Sequence, residues 1–321
     1  MEIVSAEKEF IFEKGKPVPS CHASTLVVLP DGDVMAAWFG GTREGAADVA
    51  IWTARRSGGK WSEPRETANE DNVPHWNPVL FRTGLGTIQL YYKVGDRVEN
   101  WHTRIMTSKD EGLTWSEQKD LVPGDVGGRG PVRCKPIYLR DGTLLAPASI
   151  ETDSQWDAFV DISYDHGQTW TCSERVPVDH HAFPPKGIIQ PTLWESREGV
   201  HMMVRSSASD IYRSDSVDGG RTWSPAYSVG LPNNNSGIDV VALEDARLVM
   251  IFNPVGLNWG PRSPLILRMS GDNGKTWGSP FVLEKDAGEY SYPAIVSEGS
   301  CLYLSYTWKR ETIAYWKIKI G

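Results

Sequence analysis

An eight-residue motif recurs four times along the chain, and its even spacing limits the folds that the chain can adopt. The copies, at 108–115, 163–170, 216–223 and 270–277, read Ser-x-Asp-x-Gly-x-Thr-Trp, and a shortened copy ends at Trp61. The closing tryptophans are 53 to 55 residues apart. Asp and Gly favour tight turns, and the Trp supplies an apolar side chain that can pack beneath each turn. A period of this length predicts a repeat architecture.

Short runs that alternate apolar and polar residues lie between the turns, such as GTIQLYYKV and GVHMMVRSS. About four short strands fit into each unit, which is typical of a propeller blade. The 44 residues after Trp277 hold three further strands, at 292–298, 301–308 and 312–319. We expect the N-terminal run Glu9–Glu13 to add the outer strand of that last blade. The sequence thus predicts an all-β, six-bladed β-propeller with four-stranded antiparallel blades, a ring closed by the N-terminal strand, and a single domain over 1–321.

The composition of the chain limits the classes of partner and the cellular location that we expect. The chain carries 33 Lys plus Arg against 41 Asp plus Glu, a formal charge of -8, which disfavours nucleic acid and anionic membranes as partners. No apolar run approaches the ~18 residues of a membrane span. No secretory signal is visible, and the four scattered cysteines favour a reducing compartment, so a cytoplasmic location is expected, with secretion as the alternative if a signal has been removed. No metal-ligand spacing or phosphate-binding glycine loop occurs, and we expect neither a metal nor a cofactor.

The repeats are similar to the Asp-box, or BNR repeat, and the chain resembles the sialidase (neuraminidase) superfamily over nearly its whole length. The boxes lie in outer turns, away from the central funnel, so they indicate fold and not activity. The resemblance implies a funnel formed by the starts of the innermost strands and by the loops between the second and third strands. In this sequence those segments are rich in His, Lys, Arg, Asn, Trp and Tyr.

Sialidases hold the substrate carboxylate with three arginines, because guanidinium and carboxylate pair in a bidentate manner. The resemblance assigns two of them to Arg205 and Arg262. The third is replaced by His22, and Arg43 is a candidate to compensate. His22 is also a candidate acid or base.

The resemblance places the nucleophile at Tyr290, in GEYSYPAIV, whereas Tyr292 on the same strand is a candidate for packing in the core. A phenol is suited to this role because a charged nucleophile would be repelled by the substrate's carboxylate. The family's partner glutamate is replaced by Gln190, which cannot accept a proton. The acid/base candidates are Glu44, Asp48 and Glu151.

Further polar residues of the same segments are expected to line the funnel as substrate-binding groups. They are His75, Lys93, Lys135, Asn235 and Asp239. With the arginines they predict a locally positive mouth in an acidic protein, suited to an anionic sugar.

Three functions remain open from the sequence. One is an exo-acting glycosidase on a terminal sialic, ulosonic or uronic acid. Another is a polysaccharide lyase on a uronate-containing glycan, and the last is a propeller that binds glycans without catalysis. In each case the partner is a carboxylate-bearing small molecule or oligosaccharide.

Overall fold

The structure, a computed structural model, describes residues 2–125, 127–181, 183 and 186–321. The strands in chain order are β1 (Ile3–Phe10), β2 (Ser20–Val28), β3 (Val34–Gly41), β4 (Ala50–Ser57), β5 (Lys60–Trp61), β6 (Arg65–Ala68), β7 (His75–Arg82), β8 (Ile88–Val94), β9 (His102–Ser108), β10 (Lys119–Asp120), β11 (Ile137–Tyr138), β12 (Leu144–Glu151), β13 (Trp156–Ser163), β14 (Thr171–Cys172), β15 (Ile188–Ser196), β16 (Gly199–Ser206), β17 (Asp210–Ser216), β18 (Tyr227–Pro232), β19 (Asp239–Ala242), β20 (Leu248–Phe252), β21 (Leu265–Ser270), β22 (Phe281–Glu284), β23 (Tyr290–Glu298), β24 (Cys301–Trp308) and β25 (Thr312–Ile320).

These strands form six antiparallel sheets within the described residues, and the prediction of a six-bladed propeller is confirmed. The first blade holds β2 to β6, and the next four hold β7–β10, β11–β14, β15–β18 and β19–β22. The sixth blade has the order β1-β25-β24-β23, so the N-terminal strand closes the ring as expected. The closing strand is Ile3–Phe10 and not Glu9–Glu13. The chain turns inward after Phe10, and Phe12 stacks on Trp38 of the first blade with ring centroids 4.7 Å apart.

Each full Asp-box is a turn fastened by its own side chains. In the box at 216–223, Ser216 Oγ accepts from Gly220 N at 2.9 Å, and Asp218 accepts from Thr222 N and Thr222 Oγ1 at 3.0 and 2.7 Å. Trp223 is buried in the core cluster that links the third and fourth blades. Hydrogen bonds thus fix the turn while the indole joins neighbouring sheets, so the motif acts in the fold and lies away from the ring axis.

Four of the six innermost strands, β2, β7, β15 and β23, share a backbone irregularity near their starts. Register slips at Ala23, Asn77, Gln190 and Tyr292, and each of these residues has a positive φ, of 54°, 36°, 55° and 53°. A bulge adds one residue to a strand and re-aims its side chain. The last three residues precede a proline, which cannot donate to the ladder and is tolerated at bulges. The bulges therefore decide which side chain of each strand faces the ring axis.

The closing seam carries an ion pair of good geometry. Glu9 on β1 accepts from Arg56 Nε and Nη2 of the first blade at 2.9 and 2.6 Å, and from Trp61 Nε1 at 3.1 Å. The hydrogen bond from Arg56 is the main cause that lowers the pKa of Glu9, against the opposing effect of burial. The described residues include no helix with the length and apolar character of a membrane span.

The seam makes a testable contribution to stability. Glu9→Gln removes the charge that Arg56 pairs with, and we expect it to lower the free energy of unfolding at pH 7 by about 1 kcal/mol. Because the native pKa of Glu9 is depressed, its contribution is fully present above the unfolded-state pKa and is lost as pH falls through the native pKa. Thermal melts at pH 7 and pH 3 measure the difference, with Glu7→Gln on the same strand as the control. An equal loss at both pH values would contradict this account.

Candidate active site

A cavity of about 350 Å³ opens where the innermost strands begin. Every blade contributes to its wall, because the strand starts and the loops between second and third strands converge there. The lining residues are His22, Glu44, Val98, Glu99, Glu151, Thr152, Asp153, Trp156, Lys186, Ile189, Arg205, Trp259, Arg262, Tyr292 and Arg310.

Arg205, near the end of β16, is the most buried cation of the cavity, with 2% of its surface exposed. Its Nε donates to Asn235 Oδ1 at 2.9 Å, and its Nη1 donates to Gln190 Oε1 at 3.1 Å and to Tyr292 Oη at 3.0 Å. These partners are neutral, and no carboxylate forms an ion pair with Arg205 within the described residues. A buried guanidinium without a counter-ion is costly, so the site is suited to receive an anion.

Two further arginines of the cavity lining share one carboxylate. Arg262 Nη1 donates to Glu289 Oε1 at 2.7 Å and to Ser291 Oγ at 3.2 Å. Arg310 Nε donates to the same Glu289 oxygen at 2.9 Å, and Arg310 Nη1 reaches Glu44 Oε2 at 2.5 Å. Although burial opposes the effect, these guanidinium groups lower the pKa of Glu289. The shared carboxylate keeps both arginines directed at the cavity.

The two tyrosines of β23 occupy different environments, and Tyr292, not the expected Tyr290, faces the cavity. Tyr290 is 1% exposed, lies in the core cluster of the fifth and sixth blades, and does not line the cavity. Tyr292 lines it, and the guanidinium carbons of Arg133, Arg205 and Arg262 lie 5.4, 5.8 and 5.5 Å from its ring centroid. The bulge at Tyr292 explains the difference, since a regular strand would direct both tyrosines to one face.

His22 lies beside Tyr292, with ring centroids 4.2 Å apart. Its Nδ1 shares a hydrogen bond of 2.9 Å with Thr307 Oγ1. Burial lowers the pKa of His22 well below its ordinary value, and the nearby arginines, Arg310 first among them, lower it further. The ring is therefore neutral near pH 7, and its hydrogen-bonding capacity, not its charge, is what it offers a ligand.

Glu151, at the end of β12, is the carboxylate nearest to the Arg205 network. Its Oε1 accepts from Ser149 Oγ at 3.0 Å and from Gln190 Nε2 at 3.5 Å. Burial raises the pKa of Glu151, and the charge of Arg205 opposes that effect. A carboxyl group with a raised pKa retains its proton to higher pH, which is the property that a general acid requires.

The cavity lining also contains aromatic and acidic side chains. Trp259 is 61% exposed and packs edge-on against Trp156 at 6.2 Å, and Lys186 lies over the Trp156 ring. Glu99 accepts from Asp153 N at 3.1 Å across the rim. Four cationic and four acidic side chains line the cavity in total. The expected positive mouth is therefore wrong as a whole: the cations gather around Tyr292, and the acidic residues balance them.

Several predicted site residues lie elsewhere. Arg43 is exposed and outside the cavity lining. Asp48 accepts from Thr42 N at 3.0 Å and fastens a turn. His75 stacks on Tyr92. Lys93 is fully buried, donates to Arg129 O at 2.7 Å, and has its pKa lowered to about 8 by burial.

Lys135 and Asp239 pair with each other at 2.9 Å, and Asp239 also accepts from Thr192 Oγ1 and Ile295 N. These contacts join the third, fourth, fifth and sixth blades. Asn235 and Gln190 are absent from the cavity lining, but both hold Arg205.

Sequence reasoning missed Tyr292 and Arg310, and one signal for Tyr292 was available. The segments HWNPVL, RCKPIYL, IIQPTLW and YSYPAIV align on their prolines. The residue before proline is then Asn77, Lys135, Gln190 or Tyr292, which places Tyr292 in line with Gln190. Arg310 lies in YTWKRET, where no local pattern distinguishes it from a solvated arginine.

No group of three or more His, Cys, Asp or Glu side chains within the described ranges is arranged to hold a metal ion.

The sequence profile of the BNR repeat-like domain matches residues 32–304, which is most of the chain. The chain belongs to the BNR repeat-like domain family. Within it, the chain is similar to the sialidase of Micromonospora viridifaciens, with 26% identity over 343 aligned positions that cover 93% of this chain and 52% of that protein. The sialidase of Paraclostridium sordellii is 27% identical over 184 positions, covering 50% of this chain and 44% of the relative. The chain thus spans about half the length of these sialidases.

Solved structures share the BNR propeller fold. Hadza microbial sialidase Hz136 superposes with a TM-score of 0.83 at 17% identity, over 98% of this chain and 68% of that one. Trypanosoma rangeli sialidase in complex with sialic acid superposes with a TM-score of 0.74 at 14% identity, over 98% of this chain and 59% of that one. A Dyadobacter fermentans protein of unknown function superposes with a TM-score of 0.80 at 17% identity, over 99% of this chain and 100% of that one. At these identities the likeness establishes the fold of a sialidase-like propeller.

The neutral His22 leads to a prediction on acid stability. Its native pKa lies below the unfolded value of about 6.5, so between those values the unfolded state binds a proton that the native state does not, and stability falls as pH decreases. We expect His22→Gln to flatten the fall in melting temperature between pH 7 and pH 5. His181→Gln, at an exposed position, is the control. An unchanged slope in the His22 variant would show that this ring titrates normally.

Proposed function

We propose that this protein is an exo-acting, sialidase-like glycosidase that cleaves a terminal acidic sugar, such as a sialic, ulosonic or uronic acid, from a glycan. The observation that carries the proposal is the buried Arg205, which has only neutral partners and donates to Tyr292 Oη at 3.0 Å. A substrate carboxylate supplies the counter-ion that Arg205 lacks, and guanidinium forks bind carboxylates in a bidentate manner. Family membership and the similarity to sialidases support the same class.

Tyr292 is the proposed nucleophile. In a 2-keto acid sugar the anomeric carbon bears the carboxylate, so a group beside Arg205 is close to that carbon when the carboxylate is bound. A neutral phenol approaches this carbon without the repulsion that a carboxylate nucleophile would meet. Arg205 orients the phenol oxygen through its hydrogen bond.

Glu151 is the proposed general acid and base. In the first step Tyr292 Oη bonds to the anomeric carbon, the phenol proton passes to cavity water, and the bond to the leaving oxygen breaks as Glu151 donates its proton to that oxygen. In the second step Glu151 takes a proton from water, whose oxygen displaces Tyr292, and the phenolate regains a proton from solvent. Gln190 accepts no proton, but it holds both Glu151 and Arg205.

A pair of tyrosine variants tests the nucleophile. We expect Tyr292→Phe to lower turnover of an aryl glycoside of an acidic sugar at least about 100-fold. Tyr290→Phe removes a hydroxyl from the same strand outside the cavity, and its turnover is expected to match the unmodified protein. The measurement is release of the aryl alcohol over a panel of sialic, ulosonic and uronic acid glycosides. Equal losses in the two variants would contradict the assignment of Tyr292.

The pH profile tests Glu151. Because burial raises its pKa, the protonated acid persists to higher pH than for an exposed glutamate, and activity falls as pH rises through that pKa. Glu151→Gln is expected to lower turnover by about 100-fold or more and to remove this limb of the profile. An aryl glycoside with a leaving group of low pKa needs little acid assistance, so the loss should be smaller with it. A loss that is independent of the leaving group would remove Glu151 from the role.

The other functions are outcomes of the same assays. A product that absorbs in the ultraviolet through a new carbon–carbon double bond would identify a lyase. Saturable binding of the acidic sugars with no product would identify a glycan-binding propeller.

A further inference from the structure

Arg310 joins the last blade to the first at the wall of the cavity. It lies in the turn between β24 and β25, where Lys309 and Arg310 both have a positive φ, of 53° and 59°. Its carbonyl oxygen accepts from Cys21 N at 2.9 Å, and Lys309 N donates to Glu289 O at 2.7 Å. The turn is thereby fixed against the start of β2, next to His22. No loop motion is needed to bring the Arg310 side chain into the cavity.

The guanidinium of Arg310 is held from two sides. Glu289 accepts from Nε at 2.9 Å, and Glu44 accepts from Nη1 at 2.5 Å. Nη2 has no hydrogen-bond partner among the residues that the structure describes. Fixing two nitrogens orients the planar group, so Nη2 is a pre-organised donor, and little side-chain entropy remains to be lost on binding.

We infer that Arg310 supplies a guanidinium to the substrate carboxylate at the wall where the first blade presents the neutral His22, and that Glu44 positions Arg310 and does not transfer a proton. This inference rests on the proposed function. It assigns a binding role to the turn between β24 and β25, and it withdraws Glu44 from the acid/base candidates.

Charge balance supports the assignment. Arg262 and Arg310 face the two carboxylates Glu289 and Glu44, so that side of the cavity is neutral as a group. Of the arginines that line the cavity, only Arg205 has no ionic partner in the described part of the chain; Arg133, buried behind Tyr292 and outside the lining, donates to the backbone oxygens of Ile238 and Pro293. One substrate carboxylate therefore supplies an ionic partner to the remaining unpaired arginine of the cavity lining.

The chemistry of Glu44 explains its positioning role. A carboxylate that accepts at 2.5 Å from a guanidinium acts in its ionised form, and protonation would break the ion pair that orients Arg310. Glu151, in contrast, forms no ion pair in the described residues and accepts from a hydroxyl and an amide. The two carboxylates are therefore expected to affect different kinetic constants.

The test measures binding of 2-deoxy-2,3-didehydro sialic acid and of its methyl ester, which lacks the charged carboxylate. Arg310→Ala should weaken binding of the acid by about 10- to 100-fold, the range for hydrogen bonds to charged groups, and leave binding of the ester unchanged. Arg310→Lys, which keeps the charge but not the fork, should fall between. Arg43→Ala, an exposed arginine next to Glu44, is the control and should change neither ligand. Equal weakening of acid and ester would overturn the inference.

Kinetics separate the two glutamates. Glu44→Gln should raise KM for the aryl glycoside about 10-fold with kcat nearly unchanged, whereas Glu151→Gln should lower kcat. A fall in kcat with an unchanged KM in Glu44→Gln would overturn the positioning role. If the unmodified protein binds the acid through Arg310 but releases no sugar, the proposed function fails and the role of Arg310 stands. If it binds neither ligand, both fail.

Discussion

The site depends on the closure of the ring. β1 pairs with β25 and completes the sixth sheet, so the first and last blades meet along a seam built from the two ends of the described chain. The cavity wall takes side chains from both of these blades, including His22 and Glu44 from one and Tyr292 and Arg310 from the other. If the seam opened, the contacts of Arg310 with Cys21 and Glu44 would separate. Global stability and the geometry of the ligand site are therefore linked through one strand pair.

The side chains that line the cavity carry no excess of one sign of charge, but the two signs are unevenly distributed. The cavity contains equal numbers of cationic and acidic side chains, but the guanidinium groups surround Tyr292 while Glu99 and Asp153 lie at the rim. A ligand is therefore favoured when its negative charge lies beside Tyr292, and a larger net negative charge elsewhere on the ligand brings no further gain. Under the proposed function, the rim carboxylates would repel a uniformly anionic chain more strongly than an acidic sugar attached to a neutral partner.

The fold could be read from the sequence because its determinants are local. Four boxes at an even spacing specify the turns, and alternating runs specify the strands, so blade number and ring closure follow from counting. The arginines at 205 and 262 could also be located, because each lies in a recognisable segment before a box. Tyr292 could not be separated from Tyr290 by alternation, since residues two apart share a face in a regular strand. Arg310 escaped notice because its role arises from a contact between residues about 290 positions apart, a distance that no local pattern records.

The bulges in the innermost strands have a consequence for how this site can change. A bulged residue is not paired in the ladder, so its side chain can be replaced without altering the register of the strands on either side. Ala23, Asn77, Gln190 and Tyr292 thus form a set of exchangeable positions on a fixed frame, one on each of four blades. The same ring could acquire a carboxylate at 190, or lose the phenol at 292, and still fold. Side chains at these positions can therefore vary while the strand pairing that builds the ring is kept.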